Sequence, residues 1–324
     1  MDKPTVLVLT PVPHLVQEAC DTHFDVVKLS ADDDRDAVLA AHGPRVRGLV
    51  VSGRTVDGAL MDRLPGLEIV SSFGVGYDNV DARHAASRGV VVTNTPDVLT
   101  EEVADTALAL LLATVRQIPQ ADRYLRAGRW REKPFPLTEA TLRDRSLGIL
   151  GLGRIGKAIA KRCEAFGLPI SYHGRRPQED VSYPYYDSLV ELARAVDTLM
   201  VIAPGGAETY HIVNAEVLEA LGPRGILINV GRGTVVDEEA LIRALQAKTI
   251  FSAGLDVYEN EPHVPEALIA MEHIVLLPHV GSASVYTRRA MAQLVVDNIV
   301  NWFDKGEALT PVAETAAYKR RRAG

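Results

Sequence analysis

Short runs rich in Val, Ile and Leu alternate along the chain with longer stretches in which apolar residues recur at helical spacing. This alternation is typical of βαβ units, whose strands pair in parallel and are covered by helices. The predicted strands of a first series cover residues 5–10, 48–52, 69–73 and 90–93, and those of a second series cover 146–151, 169–173, 198–203, 225–230, 251–257 and 274–277. The second series is long enough for a complete doubly wound sheet.

The chain length indicates two domains. Its 324 residues are about twice the ~150 residues of a typical domain. Strong helical patterns at Glu101–Gln117 and Ala283–Asp304 follow the last strand of each series. We predict an α/β fold with two doubly wound, Rossmann-like domains. The larger domain, at 99–286, is inserted in a smaller flavodoxin-like domain made of residues 1–98 and 287–324.

The stretch Ile118–Arg145 breaks the alternation. It is polar, irregular and interrupted by three prolines, and a loop of this length is unusual inside a compact domain. A lid, a dimerisation arm and slack chain would all account for it. Trp130 and Phe135 favour the arm, because exposed aromatic residues usually pack on something.

The overall composition narrows the class of protein. Hydrophobic residues make up 47% and charged residues 24%, which is globular composition, and the net charge of −7 argues against a broad nucleic-acid surface. No apolar run reaches the ~18 residues that span a bilayer. Cys20 and Cys163 have no metal or redox spacing, so we expect no metal site. The chain enters a strand-like run without a signal-peptide pattern, and we expect a cytoplasmic protein. The basic run Lys319–Arg322 is expected to be solvated.

A glycine-rich turn follows the first strand of the second series. Gly151–Gly156 reads GLGRIG and leads directly into a helical pattern. Between a strand and a helix, such glycines let backbone amides reach a pyrophosphate at the helix N-terminus. The turn makes 99–286 the expected dinucleotide-binding domain and the smaller domain the expected substrate domain. The alternative is a tight turn without a ligand.

The end of the next strand indicates which dinucleotide binds. NAD sites usually carry Asp or Glu there, which binds the ribose 2′-hydroxyl. Here the strand ends in ISYHGRR, and no carboxylate occurs before Glu179. Arg175 and Arg176 can instead bind a 2′-phosphate. The pattern favours NADPH, with NADH possible but weaker; solvated arginines and an indifferent enzyme are the alternative.

Three later segments carry polar residues just past predicted strands: Asn229–Gly233, Asp256–Pro262 and Leu277–Ala283. Open α/β sheets bind ligands at the carboxyl ends of their strands. Side chains from these three segments are therefore expected to converge on one crevice.

Arg232, Glu261 and His279 are the candidate catalytic residues in these segments. A guanidinium binds a carboxylate through two hydrogen bonds. An imidazolium can give a proton to a carbonyl oxygen, and a neighbouring carboxylate favours and orients its charged form. Together they suit reduction of a 2-oxo acid to a 2-hydroxy acid. Taken singly, each also has a structural explanation, and the other eight histidines lack comparable context.

The chain resembles the D-2-hydroxyacid dehydrogenase family. The resemblance rests on motifs that occur in the family's order at Gly151–Gly156, Asn229–Gly233, Asn260–Pro262 and Pro278–Ala283. Within the family, the stretches Gly174–Arg176 and Ala203–Gly206 look most like the NADPH-dependent glyoxylate/hydroxypyruvate reductases. The resemblance implies that His279 is the acid/base, that Glu261 is its partner and that Arg232 binds the substrate.

The resemblance also implies roles outside the trio. The glycine-rich stretch Phe73–Asn79 matches the family's substrate loop, so the amides of Val75 and Gly76 would bind the carboxylate, with Arg232 and His279 completing the substrate site. Asp256 would hold the nicotinamide carboxamide. A homodimer built through residues 118–145 and closure of the two domains over substrate are further implications.

The full set of expected cofactor-binding residues is Gly151, Leu152, Gly153, Arg154, Ile155, Gly156, His173, Gly174, Arg175, Arg176, Ala203, Pro204, Thr209, Val230, Gly231, Asp256 and Gly281. The substrate is expected to be glyoxylate or hydroxypyruvate. A reductase of a bulkier acid, such as an arylpyruvate or 2-ketogluconate, remains an alternative, as does a dinucleotide-sensing protein like the transcriptional corepressors of this fold. The physiological direction and regulation stay open.

Overall fold

The computed structural model describes residues 3–319. They divide into two compact units, one made of residues 3–99 and 284–319 and the other of residues 100–283. Each unit is built on a parallel sheet with helices, and the predicted fold class is confirmed. Residues 320–322 of the basic C-terminal run lie outside the described part of the chain.

Strands and helices alternate throughout, as the hydrophobic pattern predicts. The strands are β1 (Thr5–Leu9), β2 (Asp25–Leu29), β3 (Val46–Val51), β4 (Ile69–Ser72), β5 (Val91–Thr93), β6 (Leu147–Leu150), β7 (Ile170–His173), β8 (Tyr185–Tyr186), β9 (Thr198–Val201), β10 (Ile226–Asn229), β11 (Ser252–Leu255) and β12 (Val275–Leu276). The α-helices are α1 (His14–His23), α2 (Arg35–His42), α3 (Gly58–Asp62), α4 (Ala82–Ser87), α5 (Thr100–Arg116), α6 (Ile118–Arg126), α7 (Arg154–Glu164), α8 (Leu189–Ala195), α9 (Ala215–Leu221), α10 (Glu238–Gln246), α11 (Glu266–Ile269) and α12 (Val285–Lys305). Short 3₁₀ turns cover Gly43–Arg45, Arg129–Arg131, Gly233–Val235 and Ala313–Thr315.

The first unit has a five-stranded sheet in the order β2-β1-β3-β4-β5, with every pair parallel. This is the flavodoxin order. Its interior strand β1 is buried along its whole length, because both faces of a doubly wound sheet are covered and demand continuous apolar runs.

The second unit has a seven-stranded sheet in the order β12-β11-β10-β9-β6-β7-β8, again all parallel. The strand order reverses between β6 and β9, which is the switch point where doubly wound folds bind dinucleotides. β6 and β10 are fully buried, so the loops after them start from rigid supports.

Two strands escaped the sequence prediction. The half-exposed edge strand β2, DVVKL, carries the polar residues Asp25 and Lys28 among its apolar ones, and the edge strand β8 has only two residues. Central strands were found within one or two residues, but the run 251–257 was predicted too long. Its last residues, Asp256 and Val257, are buried beyond the hydrogen-bonded part of β11.

The expectation of an irregular stretch at 118–145 was wrong at its start, where α6 forms. Pro119 lies in the first turn of this helix, where a missing N–H costs nothing because no helical partner exists. α6 has no buried residue, so its sequence lacks the helical spacing of buried apolar residues from which a helix is predicted. In residues 3–319, no helix combines the length and the apolar character that crossing a bilayer requires.

Candidate active site

The glycine-rich turn connects β6 to α7, and its glycines are of two kinds. A Cβ on Gly156 would lie 2.4 Å from the carbonyl oxygen of Gly151, so this position needs glycine for the helix to approach the strand. A Cβ on Gly153 would meet nothing within 4 Å. Gly153 precedes the first residue of α7, so the helix N-terminus has room for a pyrophosphate beside it. The turn fits a dinucleotide.

The end of β7 carries basic residues as its sequence indicates. The side chains of Arg175 and Arg176 are exposed to solvent. His173 is held more firmly, because its Nδ1 lies 2.8 Å from the carbonyl oxygen of Tyr186 and its ring stacks on Tyr185. A guanidinium pair in solvent suits a phosphate, which needs charge and hydrogen-bond donors.

Residues predicted to contact the cofactor also follow β9 and β10, which are neighbours in the sheet. The Thr209 hydroxyl donates to the carbonyl oxygen of Pro204 over 2.7 Å and closes the loop after β9. A Cβ on Gly231 would stand 2.8 Å from the carbonyl oxygen of Ala203, so the two loops pack closely.

His279 and Glu261 are in direct contact. Nδ1 of His279 lies 2.6 Å from Oε2 of Glu261, and the other oxygen of Glu261 accepts the main-chain N–H of Tyr258 over 3.0 Å. The histidine and glutamate side chains remain 46% and 34% exposed. With Nδ1 facing a carboxylate, Nε2 is the nitrogen that can exchange a proton with a substrate.

Asp256 fixes the segment that carries His279. Its carboxylate oxygens accept the N–H groups of Val280 and Gly281 over 2.7 and 2.8 Å, and its carbonyl oxygen accepts the N–H of His279 over 2.8 Å. Burial raises the pKa of Asp256, against the opposing effect of the two amide hydrogen bonds. These bonds hold His279 at φ +54, a left-handed conformation that is uncommon for a residue with a side chain.

Arg232 lies on a turn that packs against the glutamate segment. The side chain of Asn229 accepts the N–H of Gly231 and donates to the carbonyl oxygen of Arg232, over 3.1 and 3.0 Å. A Cβ on the next residue, Gly233, would stand 1.8 Å from the carbonyl carbon of Tyr258. Only glycine permits this approach, which brings the arginine turn beside the segment of Glu261.

The charges of the three residues are coupled. Burial raises the pKa of Glu261, but the hydrogen bonds from His279 and from the Tyr258 amide, with the charges of His279 and Arg232, outweigh it and lower the pKa. Glu261 is therefore an anion at neutral pH. A guanidinium, a carboxylate and an imidazole thus interact at the ends of β10, β11 and β12.

In the first unit, the predicted substrate loop follows β4. Gly74 donates to the hydroxyl of Thr95 over 3.1 Å, and the side chain of Asn94 donates to the carbonyl oxygen of Val75 over 2.8 Å. Within residues 3–319, the N–H groups of Val75 and Gly76 donate to no other group of the protein. Adjacent unused amides of this kind form an anion-binding concavity.

Sequence reasoning missed two features around the site. The anchoring of the histidine segment by Asp256 depends on contacts between distant strand ends that no spacing reveals. His211, judged to lack context, lies 2.9 Å from Glu259. The sequence offered one indication of its role: it lies in the loop after β9, between the candidate segments Ala203–Gly206 and Asn229–Gly233.

A family model and individual relatives match the sequence of this chain. The model for the NAD-binding domain of D-isomer specific 2-hydroxyacid dehydrogenases matches residues 108–281. Glyoxylate/hydroxypyruvate reductase A of Arabidopsis thaliana is 46% identical over 96% of this chain and 100% of its own length. Hydroxyphenylpyruvate reductase of Plectranthus scutellarioides is 47% identical over 95% of this chain and 98% of its own.

A solved structure matches over the whole chain. The NADPH-dependent glyoxylate/hydroxypyruvate reductase of Sinorhizobium meliloti, crystallised with NADP and malonate, is 56% identical, with a TM-score of 0.95 and 100% of both chains covered. The fold and the glycine turn define an oxidoreductase with an NAD(P)-binding Rossmann domain. The chain belongs to the D-isomer specific 2-hydroxyacid dehydrogenase family, whose members interconvert 2-hydroxy acids and 2-oxo acids.

Proposed function

We propose that the protein reduces a small 2-oxo acid, glyoxylate or hydroxypyruvate in the first place, to the D-2-hydroxy acid with NADPH. The observation that carries the proposal is the 2.6 Å contact between His279 and Glu261, on a segment held by Asp256. This arrangement suits proton donation to a carbonyl oxygen.

His279 and Glu261 act as the proton relay in this proposal. The Nδ1–H of His279 donates to Glu261, which stabilises the imidazolium, and Nε2 gives its proton to the carbonyl oxygen. NADPH, when bound, supplies the hydride that forms the new bond to the carbonyl carbon. The carbonyl π electrons move to oxygen and take up the histidine proton. The net change is 2-oxo acid, NADPH and a proton to hydroxy acid and NADP⁺.

Arg232 and two main-chain amides bind the substrate in the same proposal. The guanidinium of Arg232 binds the carboxylate and stabilises the negative charge that develops on the carbonyl oxygen. The unused N–H groups of Val75 and Gly76 bind the carboxylate, and Asp256 is proposed to hold the nicotinamide carboxamide beside its structural role. Each assignment is open to substitution and kinetic measurement.

NADPH is proposed as the preferred cofactor, with NADH weaker. Arg175 and Arg176 follow the strand whose end carries an acid in NAD sites, and both side chains are free to reach solvent-exposed phosphate. The relative from S. meliloti is described as NADPH-dependent and was crystallised with NADP. The Gly151–Gly156 turn would hold the pyrophosphate.

A bulkier 2-oxo acid is the alternative to the proposed substrate. The relative from P. scutellarioides is a hydroxyphenylpyruvate reductase at 47% identity, against 46% for the glyoxylate/hydroxypyruvate reductase of A. thaliana. Identity therefore does not separate a small pocket from a large one, and an arylpyruvate or 2-ketogluconate reductase is the second candidate.

A panel of 2-oxo acids, each assayed with NADPH and with NADH, tests the proposal. We expect the highest kcat/KM with glyoxylate or hydroxypyruvate and NADPH. A preference for an arylpyruvate or 2-ketogluconate would select the second candidate. If no acid is reduced while NADPH still binds, the protein is a dinucleotide sensor and the proposed function is wrong.

A homodimer through residues 118–145 is the proposed assembly. Four large apolar side chains on this stretch are exposed in the single chain: Ile118, Leu125, Trp130 and Leu137, at 52%, 54%, 65% and 95%. Apolar exposure of this density usually marks a covered surface. Light scattering of the wild type and of Leu125→Asp should give a dimer and a monomer, and a monomeric wild type would contradict the proposal.

We propose a cytoplasmic location from the two cysteines. Cys20 and Cys163 are free and buried, and burial raises the pKa of each thiol to about 12. Thiols so protected need no disulfide partner, which suits a reducing compartment.

A further inference from the structure

A second histidine–carboxylate pair joins the loop after β9 to the segment that carries Glu261. Nε2 of His211 is 2.9 Å from Oε1 of Glu259, two residues before Glu261. The two side chains are 29% and 21% exposed, so the pair is more sheltered than the one at His279. The hydroxyl of Tyr210 donates to the same glutamate oxygen over 3.3 Å.

His211 joins three segments that the proposed function uses. It belongs to the loop after β9, where Thr209 closes on Pro204. Its main-chain N–H donates over 2.9 Å to the carbonyl oxygen of Thr234, two residues past Arg232. Its ring contacts the glutamate segment. His211 adopts φ +52, an uncommon conformation for a residue with a side chain, and these contacts hold it there.

Glu259 is held from a second side. Its main-chain N–H donates over 3.3 Å to Oε2 of Glu238, which is 9% exposed at the first residue of α10. Burial raises the pKa of Glu238, and the hydrogen bond from Glu259 opposes that rise. The segment is therefore fixed by its side chain to His211 and by its main chain to α10. Glu261 extends from this support toward His279.

We propose that His211 is a positioning residue for the reaction. Through Glu259 it fixes the segment that presents Glu261 to His279, and it does so from the loop expected to contact the cofactor. The inference rests on the proposed function for its kinetic consequences but not for its structural ones. Loss of the contact lets Glu261 move away from the imidazole, which weakens the stabilisation of the imidazolium.

The matched variants His211→Met and His211→Gln test the pair. Both have unbranched side chains of similar length and meet the same backbone constraint at φ +52, but only glutamine has a terminal N–H to donate to Glu259. We expect kcat of the methionine variant to fall about 5- to 10-fold, which lies within the net contribution of one ordinary hydrogen bond. Glutamine should restore kcat to within about 2-fold of the wild type.

Binding and spectroscopy separate this inference from the proposed function. The dissociation constant for NADPH, from fluorescence titration, should change less than about 3-fold in both variants, because neither removes a cofactor contact. The ¹⁵N chemical shifts of His279 at neutral pH should move toward those of a neutral ring in His211→Met alone. This readout needs no turnover, so it remains informative even if the wild type reduces no 2-oxo acid.

His84→Met is the control, since His84 contacts Asp62 over 2.8 Å in the first unit with 30% of its side chain exposed. It should leave kcat and the His279 shifts unchanged. Unchanged His279 shifts in His211→Met, or equal losses of kcat in the methionine and glutamine variants, would overturn the inference. If His211→Met does not fold, Glu259→Gln, which weakens the same contact at its other end, is required to give the same shifts.

Discussion

The two halves of the seven-stranded sheet end in different chemistry. Beyond β6 and β7 lie Gly153 and Gly174, with open space beside them, and the exposed side chains of Arg175 and Arg176. Beyond β11 and β12, each functional side chain is tied at short distance, as in the 2.6 Å contact of His279 with Glu261. One half has open donors and charge, and the other has fixed geometry.

The difference follows from what each half is proposed to do. A phosphate is bound by charge and amide donors, which tolerate side chains that settle only when the ligand arrives. Proton transfer requires the donor to lie within a few tenths of an ångström of its working position. Substitutions beyond β11 and β12 should therefore change kcat, and substitutions beyond β7 should change cofactor affinity. Three variants test that separation.

Substitution of His279 by alanine should have the largest effect. With the proton donor removed, kcat for hydroxypyruvate should fall about 10³-fold, while the NADPH dissociation constant stays within about 3-fold of the wild type. Stopped-flow or steady-state absorbance at the nicotinamide band and fluorescence titration give the two quantities. If turnover survives within a few-fold, His279 is not the proton donor.

Glu261→Gln should have the next largest effect. Glutamine keeps the shape but removes the charge that stabilises the imidazolium, so kcat/KM should fall about 100-fold. The pKa of Glu261 lies below its ordinary value, so the wild-type kcat/KM should hold to a pH below the ordinary glutamate range before protonation of the carboxylate lowers it. Glu261→Gln has no group that titrates there and should lack that acid fall. Loss of the acid fall in a distant variant such as His84→Gln would contradict this role.

The double variant Arg175→Ala/Arg176→Ala should have the smallest effect, and on binding alone. We expect the dissociation constant for NADPH to rise about 10- to 30-fold, with that for NADH changed less than about 3-fold, because only NADPH carries the 2′-phosphate. The kcat at saturating NADPH should stay near that of the wild type. Equal losses for both cofactors would defeat the 2′-phosphate assignment.

The fold was largely predictable because buried parallel strands are continuous apolar runs. Edge strands lack that signature: polar residues interrupt the apolar run of β2, and β8 has only two residues, so the sequence pattern predicted neither. α6 was missed for a related reason, since none of its residues is buried in the single chain. Periodicity reports burial within the chain, and these elements have little of it.

The candidate site was predictable where a chemically distinctive side chain follows a predicted strand, as at Arg232, Glu261 and His279. Contacts between strand ends were not. The hydrogen bonds of Asp256 to Val280 and Gly281 join residues 24 and 25 apart, and the pair of His211 with Glu259 joins residues 48 apart. Such pairings depend on strand order in the sheet, which the sequence expresses only through the complete fold.

A double-mutant cycle tests most directly whether one half of the sheet binds the cofactor while the other half carries out proton transfer. Glu261→Gln, Arg175→Ala/Arg176→Ala and their combination are compared with the wild type by kcat/KM for NADPH at saturating 2-oxo acid. Because the sites act on different steps, the combined loss should equal the product of the separate losses within about 2-fold. If kcat/KM of the combined variant is no lower than that of the less active parent variant, the two halves do not act on different steps and the account is contradicted.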